Sequence, residues 1–144
     1  MLLRLENEKK EKEMSLTLLN IPCAGTWKRD CELTSLEINT KLRLEFIKEE
    51  DQSKWKLEFD NLVAFKLTGE EFSGQLFTDL PQEGSFYIYE NSPWLKSLKR
   101  FKKDELIEKC KHFVLFFYDE VIEVAAKELF YEKLTRATQS QNHG

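Results

Sequence analysis

The sequence predicts an α+β fold: mainly antiparallel β-sheet, strongly curved or barrel-like, with one short helix near residues 93–101. Three observations predict it. Apolar residues recur at every second position through Leu42–Lys48, Trp55–Leu67 and Ser85–Glu90, which is the period of a half-buried strand. The period changes at Ser92-Pro93, after which Trp94, Leu95, Leu98 and Phe101 recur at helical spacing. The seven residues His112 to Tyr118 are almost all aromatic or β-branched, and such a run reads as a strand buried on both faces, or on one face with a partner covering the other.

In chain order, residues 1–13 interleave Arg4, Lys9, Lys10 and Lys12 with Glu6, Glu8, Glu11 and Glu13. This mixed-charge extension has little to bury, and Met14 stands as an alternative start. Residues 14–134 read as a single β-rich domain of about six to eight strands, judged by the spacing of turn signals. Leu16–Ile21 is a short edge strand or an extended lead-in that ends at Pro22. Gly25 opens a loop with Trp27 and Asp30. Leu33–Asn39 and Leu42–Lys48 are strands, and Glu49 to Ser53 has the length of a hairpin connection. Trp55–Leu67 is one long bent strand, or two strands joined at Asp60-Asn61, where a bulge is tolerated. Ser92 is placed to cap a helix with proline at its first position, where the missing N–H costs nothing. Asp104 is a candidate cap for a second turn, Glu105–Lys109. The last hairpin turns at Asp119-Glu120. Its second arm is read as strand through about Glu128, with a helix from Val121 to Leu134 as the competing reading because Ala125-Ala126-Lys127-Glu128-Leu129 are good helix formers. Residues 135–144 form a polar, disordered tail.

Composition narrows the function classes. A chain of 144 residues buries about 70% of its unfolded surface, enough for one real core. Eleven Phe beside five Gly indicate a core rich in rings that have no polar group to satisfy. A net charge of −4 argues against a nucleic-acid binder, which needs a basic face. Three cysteines, Cys23, Cys31 and Cys110, with no CxxC, fit a reducing cytoplasm better than a disulfide framework. No stretch approaches the roughly 18 apolar residues of a membrane span. The scattered glycines form no phosphate-cradling loop, so no cofactor is expected.

Three groups of residues could carry chemistry. Cys110 and His112 share a strand face, and with Cys23 and Cys31 could make a Cys3His metal set. The spacings match no common zinc motif, so buried thiols are preferred and no metal is expected. The same residues could form a thiol–imidazole pair, but no signature surrounds any of the cysteines, and no catalytic residue is assigned. The acidic runs Glu49-Glu50-Asp51, Glu70-Glu71 and Asp119-Glu120 fall at turns and read as solvated. The strongest candidate is a basic cluster: Lys96, Lys99, Arg100, Lys102 and Lys103, within eight residues and beside Trp94. Such a segment suits contact with an acidic protein surface; its plain alternative is a solvated helix face.

The order of elements carries a resemblance. A WxxD segment (Trp27, Asp30) leads into LTSLEI, KLRLEF, WKLEFDNLVAFKL, an NSPWL helix and HFVLFFYDEVIEVAA. This resembles a loose group of small bacterial β-rich proteins, some of them similar to immunity proteins of polymorphic toxin systems. The likeness covers about residues 25–128 and rests on strand order and hydrophobic pattern. It implies a non-enzymatic sheet with one helix and transfers no functional residue. The expectation is therefore a cytoplasmic, immunity-like module that binds an acidic protein by stoichiometric contact. The alternatives are a ligand-binding protein or enzyme with an aromatic-lined pocket, and a homodimer or larger homo-oligomer built through a sheet edge.

Overall fold

A computed structural model describes residues 16–69, 71, 83–101 and 105–134. The extension 1–13, Met14, the tail 135–144 and the cap at Asp104 lie outside these residues. The described chain contains strands β1 (Leu16–Leu18), β2 (Cys31–Ile38), β3 (Leu42–Lys48), β4 (Ser53–Gly69) and β5 (Phe86–Tyr89). Helices α1 (Pro93–Phe101) and α2 (Glu105–Lys109) follow, then β6 (Lys111–Phe116) and β7 (Glu120–Leu134). The strands form one seven-stranded antiparallel sheet in the order β1-β5-β6-β7-β4-β3-β2. The predicted β-rich class stands, with the expected helix at Pro93–Phe101 and the expected second turn formed as a short helix at Glu105–Lys109. The sheet keeps two ends, β1 and β2, so it is not a closed barrel.

It is nevertheless tightly curled. Phe46 on β3 and Phe86 on β5 are four strands apart in that order, about 19 Å in a flat sheet. Their ring centroids lie 5.6 Å apart, edge to face, and Phe117 meets both at 5.5 and 5.6 Å. Phe59 on β4 meets Phe113 on β6 at 5.2 Å. The curl closes the inner faces of the two halves on each other, and Leu42, Leu44, Leu57, Leu115, Ile122 and Val124 belong to this main core.

The spine is the β4–β7 ribbon, paired from Lys54↔Leu134 to Gly69↔Glu120. The β2–β3 hairpin pairs with only one half of β4, as far as Phe59. On the other half, β6 pairs with β7 only from Val121 to Ala126. The ribbon bends between these halves, where Asn61 takes a left-handed φ of 54°, a conformation asparagine tolerates better than most residues. The register slips between Leu62 and Ala64. The alternation in the sequence groups Val63 with Leu57 and Phe59; the structure instead turns Val63 to the opposite face, toward Leu95 and Cys110. A one-residue slip in a period-two strand moves a side chain across the sheet.

Two other boundaries differ from expectation. Glu120 belongs to β7, and the chain reverses at Tyr118-Asp119, with the Phe117 N–H donating to Glu120 O at 2.8 Å. Phe117 is held inside by Phe46 and Phe86, which puts the turn just beyond it. Strand β7 also continues past Glu128 to Leu134, because β4 supplies a partner over its whole length. That pairing overrides the helix propensity of Ala125-Ala126. Ala125 is small because Leu95 and Cys110 pack on it under the helices.

No described helix is long and apolar enough to cross a membrane.

Candidate functional site

Helix α1 is the element the sequence marks for contact, and its seating is built from a buried polar chain. Ser92 caps it: the Leu95 N–H donates to Ser92 Oγ at 3.2 Å, and the Lys96 N–H to Ser92 O at 3.1 Å. The same Oγ lies 2.6 Å from His112 Nδ1, and His112 Nε2 lies 2.8 Å from Glu123 Oε1. The other Glu123 oxygen is 3.7 Å from Lys66 Nζ, which sits 4.4 Å above the Trp94 ring. Tyr89 stacks on the imidazole with the rings 5° from parallel, and Trp94 meets it edge-on at 4.8 Å. Ser92, His112 and Glu123 are all buried.

A carboxylate can only accept, so Nε2–H donates to Glu123, and Nδ1 shares a hydrogen bond with the Ser92 hydroxyl whose direction follows the imidazole tautomer. That hydroxyl oxygen in turn accepts the helix amide. Each member is satisfied, as a buried polar network must be. Serine, histidine and glutamate in series also resemble a nucleophilic triad. Here Ser92 is only 2% exposed and its oxygen already serves the helix cap, so attack on a substrate would require undoing the cap. The role of the arrangement is mechanical, since it bolts the first turn of α1 to β6 and β7.

Beyond the bolt, the predicted contact residues divide. Leu95 is buried, and Trp94 and Leu98 pack partly inward. Lys99 reaches Glu108 on α2 at 3.8 Å. Lys96 and Arg100, one turn apart, face outward, and Phe101 beside them is 89% exposed. Lys99 and Arg100 also occupy the last turn, where positive charge complements the helix dipole. Lys102 and Lys103 lie outside the described residues.

The Cys3His set is not assembled. Cys23 and Cys31 sit in the main core, whereas Cys110 lies across the sheet under α1. Both nitrogens of His112 are engaged by Ser92 and Glu123. Among the described residues no group of three or more His, Cys, Asp or Glu side chains is placed to hold a metal. Burial pushes the Cys23 and Cys31 thiols up to about 12, so they hold almost no thiolate at neutral pH. Both should resist iodoacetamide in the folded protein and react once it is unfolded in urea, as read by mass spectrometry. Rapid labelling of either under native conditions would contradict the burial.

Of the acidic runs, Glu49-Glu50-Asp51 occupies a turn, whereas Glu120, expected in a turn, is the first residue of β7. Hydrogen bonds from the Ser53 hydroxyl and N–H hold the Asp51 carboxyl below the usual range, and burial with Asp119 alongside raises Glu120. Of the pair Glu70-Glu71, only Glu71 lies within the described residues. The WxxD segment is a loop brace: buried Asp30 accepts the Thr26 N–H at 3.1 Å, and Ser85 Oγ donates to Trp27 O at 2.8 Å. Trp27 itself is half exposed.

Sequence reasoning missed Glu123, Lys66 and Tyr89, and saw Ser92 only as a cap. One signal was present. A glutamate inside the apolar run Val121–Ala126 cannot be buried without a partner, and His112, diagonal to it on the neighbouring strand, supplies one. No protein-family model, curated protein or solved structure matches the chain.

Proposed function

We propose that the protein is an immunity-like binding module that acts by stoichiometric contact, docking an acidic protein surface on the outward side of α1. The observation that carries this reading is the exposure of Phe101 next to Arg100 and Lys96. An uncovered aromatic ring flanked by cations has the composition of an interface anchor, since aromatic and arginine side chains dominate binding hot spots. The buried chain through Ser92, His112 and Glu123 favours the same reading, because a helix held rigidly loses little freedom on docking.

The test is the double charge reversal Lys96→Glu/Arg100→Glu. Both side chains point to solvent, so the urea midpoint and circular dichroism should stay at the wild-type values. Crosslinking in the source cells followed by mass spectrometry should recover an acidic protein at one-to-one stoichiometry with the wild-type chain. With the reversed chain its affinity should fall by about tenfold or more. Undiminished binding by the reversed chain would remove α1 from the interface and overturn the reading.

A further inference from the structure

We propose that the open edge of β7, from Glu128 to Leu134, is a strand-addition site for an extended segment that alternates basic and apolar residues. On one side this part of β7 is paired with β4, from Lys54↔Leu134 to Asp60↔Glu128. On the other side β6 stops at Lys111↔Ala126, and among the described residues no strand continues past it. An antiparallel strand directs alternate backbone N–H and C=O groups to each flank, so a row of donors and acceptors faces outward here. The segment contains no proline, and its register with β4 is unbroken.

Two rows of side chains define what fits. On the inner row Leu129, Tyr131 and Lys133 stand beside Phe59, Leu57 and Trp55; on the outer row Glu128, Phe130 and Glu132 stand beside Asp60, Glu58 and Lys56. Phe130 is 49% and Tyr131 43% exposed, so a large ring is left half uncovered on each face of the same edge. The outer row is predominantly acidic. Lys56 is already shared by Glu58 and Glu132, at 3.1 Å each, and Lys41 by Asp60 and Glu58. An incoming strand places its side chains beside these rows. Basic residues on its outer side meet Glu128 and Glu132, and apolar residues on its inner side cover Leu129 and Tyr131.

A second copy of the chain fits poorly. Two-fold antiparallel pairing requires facing residues to share a sheet face. The register centred on Phe130 then sets Glu128 against Glu132 of the other copy. The one centred on Tyr131 sets Phe130 against Glu132 and Leu129 against Lys133. Neither brings opposite charges together, and like charges directly opposite are destabilising.

The experiment uses the full chain labelled with 15N, in about 0.15 M salt so that loose charge attraction is screened. The probes are three nine-residue peptides: alternating Lys and Val, the same peptide with a central proline, and alternating Glu and Val. The Lys/Val peptide should bind and slow amide exchange within residues 128–134. The proline and Glu/Val peptides should each bind at least tenfold more weakly. Glu128→Lys/Glu132→Lys should weaken the Lys/Val peptide by a similar factor while leaving the rest of the spectrum unchanged. Any of three results would overturn the proposal: equal binding of the Glu/Val peptide, protection located elsewhere, or binding by none of the peptides. It would also fall if the free chain already protected every amide from 128 to 134, or dimerised through this edge. None of these outcomes bears on α1, so the two surfaces stand or fall separately.

Discussion

Phe46→Ala is expected to lower the unfolding free energy by about 3–5 kcal/mol, the range for deleting a buried phenylalanine ring. Phe46 is fully enclosed, and its ring is the contact between β3 and the opposite half of the sheet, edge-on to Phe86 and Phe117. Its loss leaves a cavity where the curl closes and removes two ring–ring contacts, each contributing about 0.5–1.5 kcal/mol beyond area burial. Urea unfolding followed by far-UV circular dichroism measures the loss. A change below about 1 kcal/mol would mean that the two halves of the sheet do not pack against each other, and the curled architecture would have to be abandoned.

His112→Ala should cost about 3–5 kcal/mol by a different route. It leaves the Glu123 carboxylate and the Ser92 hydroxyl buried without their shared partner, and breaking a buried charged network from one side is expensive. The damage should be local first: amide exchange across Pro93–Phe101 should accelerate more than exchange in β3 or β4. Ser92→Ala should cost less, about 1–2 kcal/mol, from the lost cap. A double-mutant cycle between Ser92→Ala and His112→Ala isolates the coupling, which should exceed about 0.5 kcal/mol for groups in direct contact. Additive effects would show that Ser92 caps the helix without being tied to the imidazole.

The strands were legible because their cause is local. Leu42, Leu44 and Phe46 alternate with charged residues, and no other backbone conformation puts all three on one side. The start of α1 was legible for the same reason, since Ser92 and Pro93 act on the first turn alone. The bend at Asp60-Asn61 could also be read, because Asn61 interrupts the alternation. Its consequence could not. Moving Val63 to the helix side depends on how β4 and β7 slip past each other, which is a property of the pair.

The site shows the same division. The basic residues of α1 stand out in an acidic chain, so Lys96 and Arg100 could be named in advance. Yet the sequence named Trp94 for contact and treated Phe101 only as an apolar position at helical spacing. Packing separated them, drawing Trp94 in against His112 and leaving Phe101 bare. His112 invited pairing with Cys110 because the two are close in the chain, while its real partners, Ser92 and Glu123, are 20 and 11 residues away.

By itself, then, the sequence determined a sheet-dominated chain, where its strands run and where α1 begins, because backbone period, capping and proline geometry act within a few residues. The tertiary structure alone decided that the sheet curls without closing, that Ser92, His112 and Glu123 meet, and that β7 outruns β6, with no strand beside its last residues among those described. Those features depend on strand order and register, which arise from contacts between segments far apart in the chain.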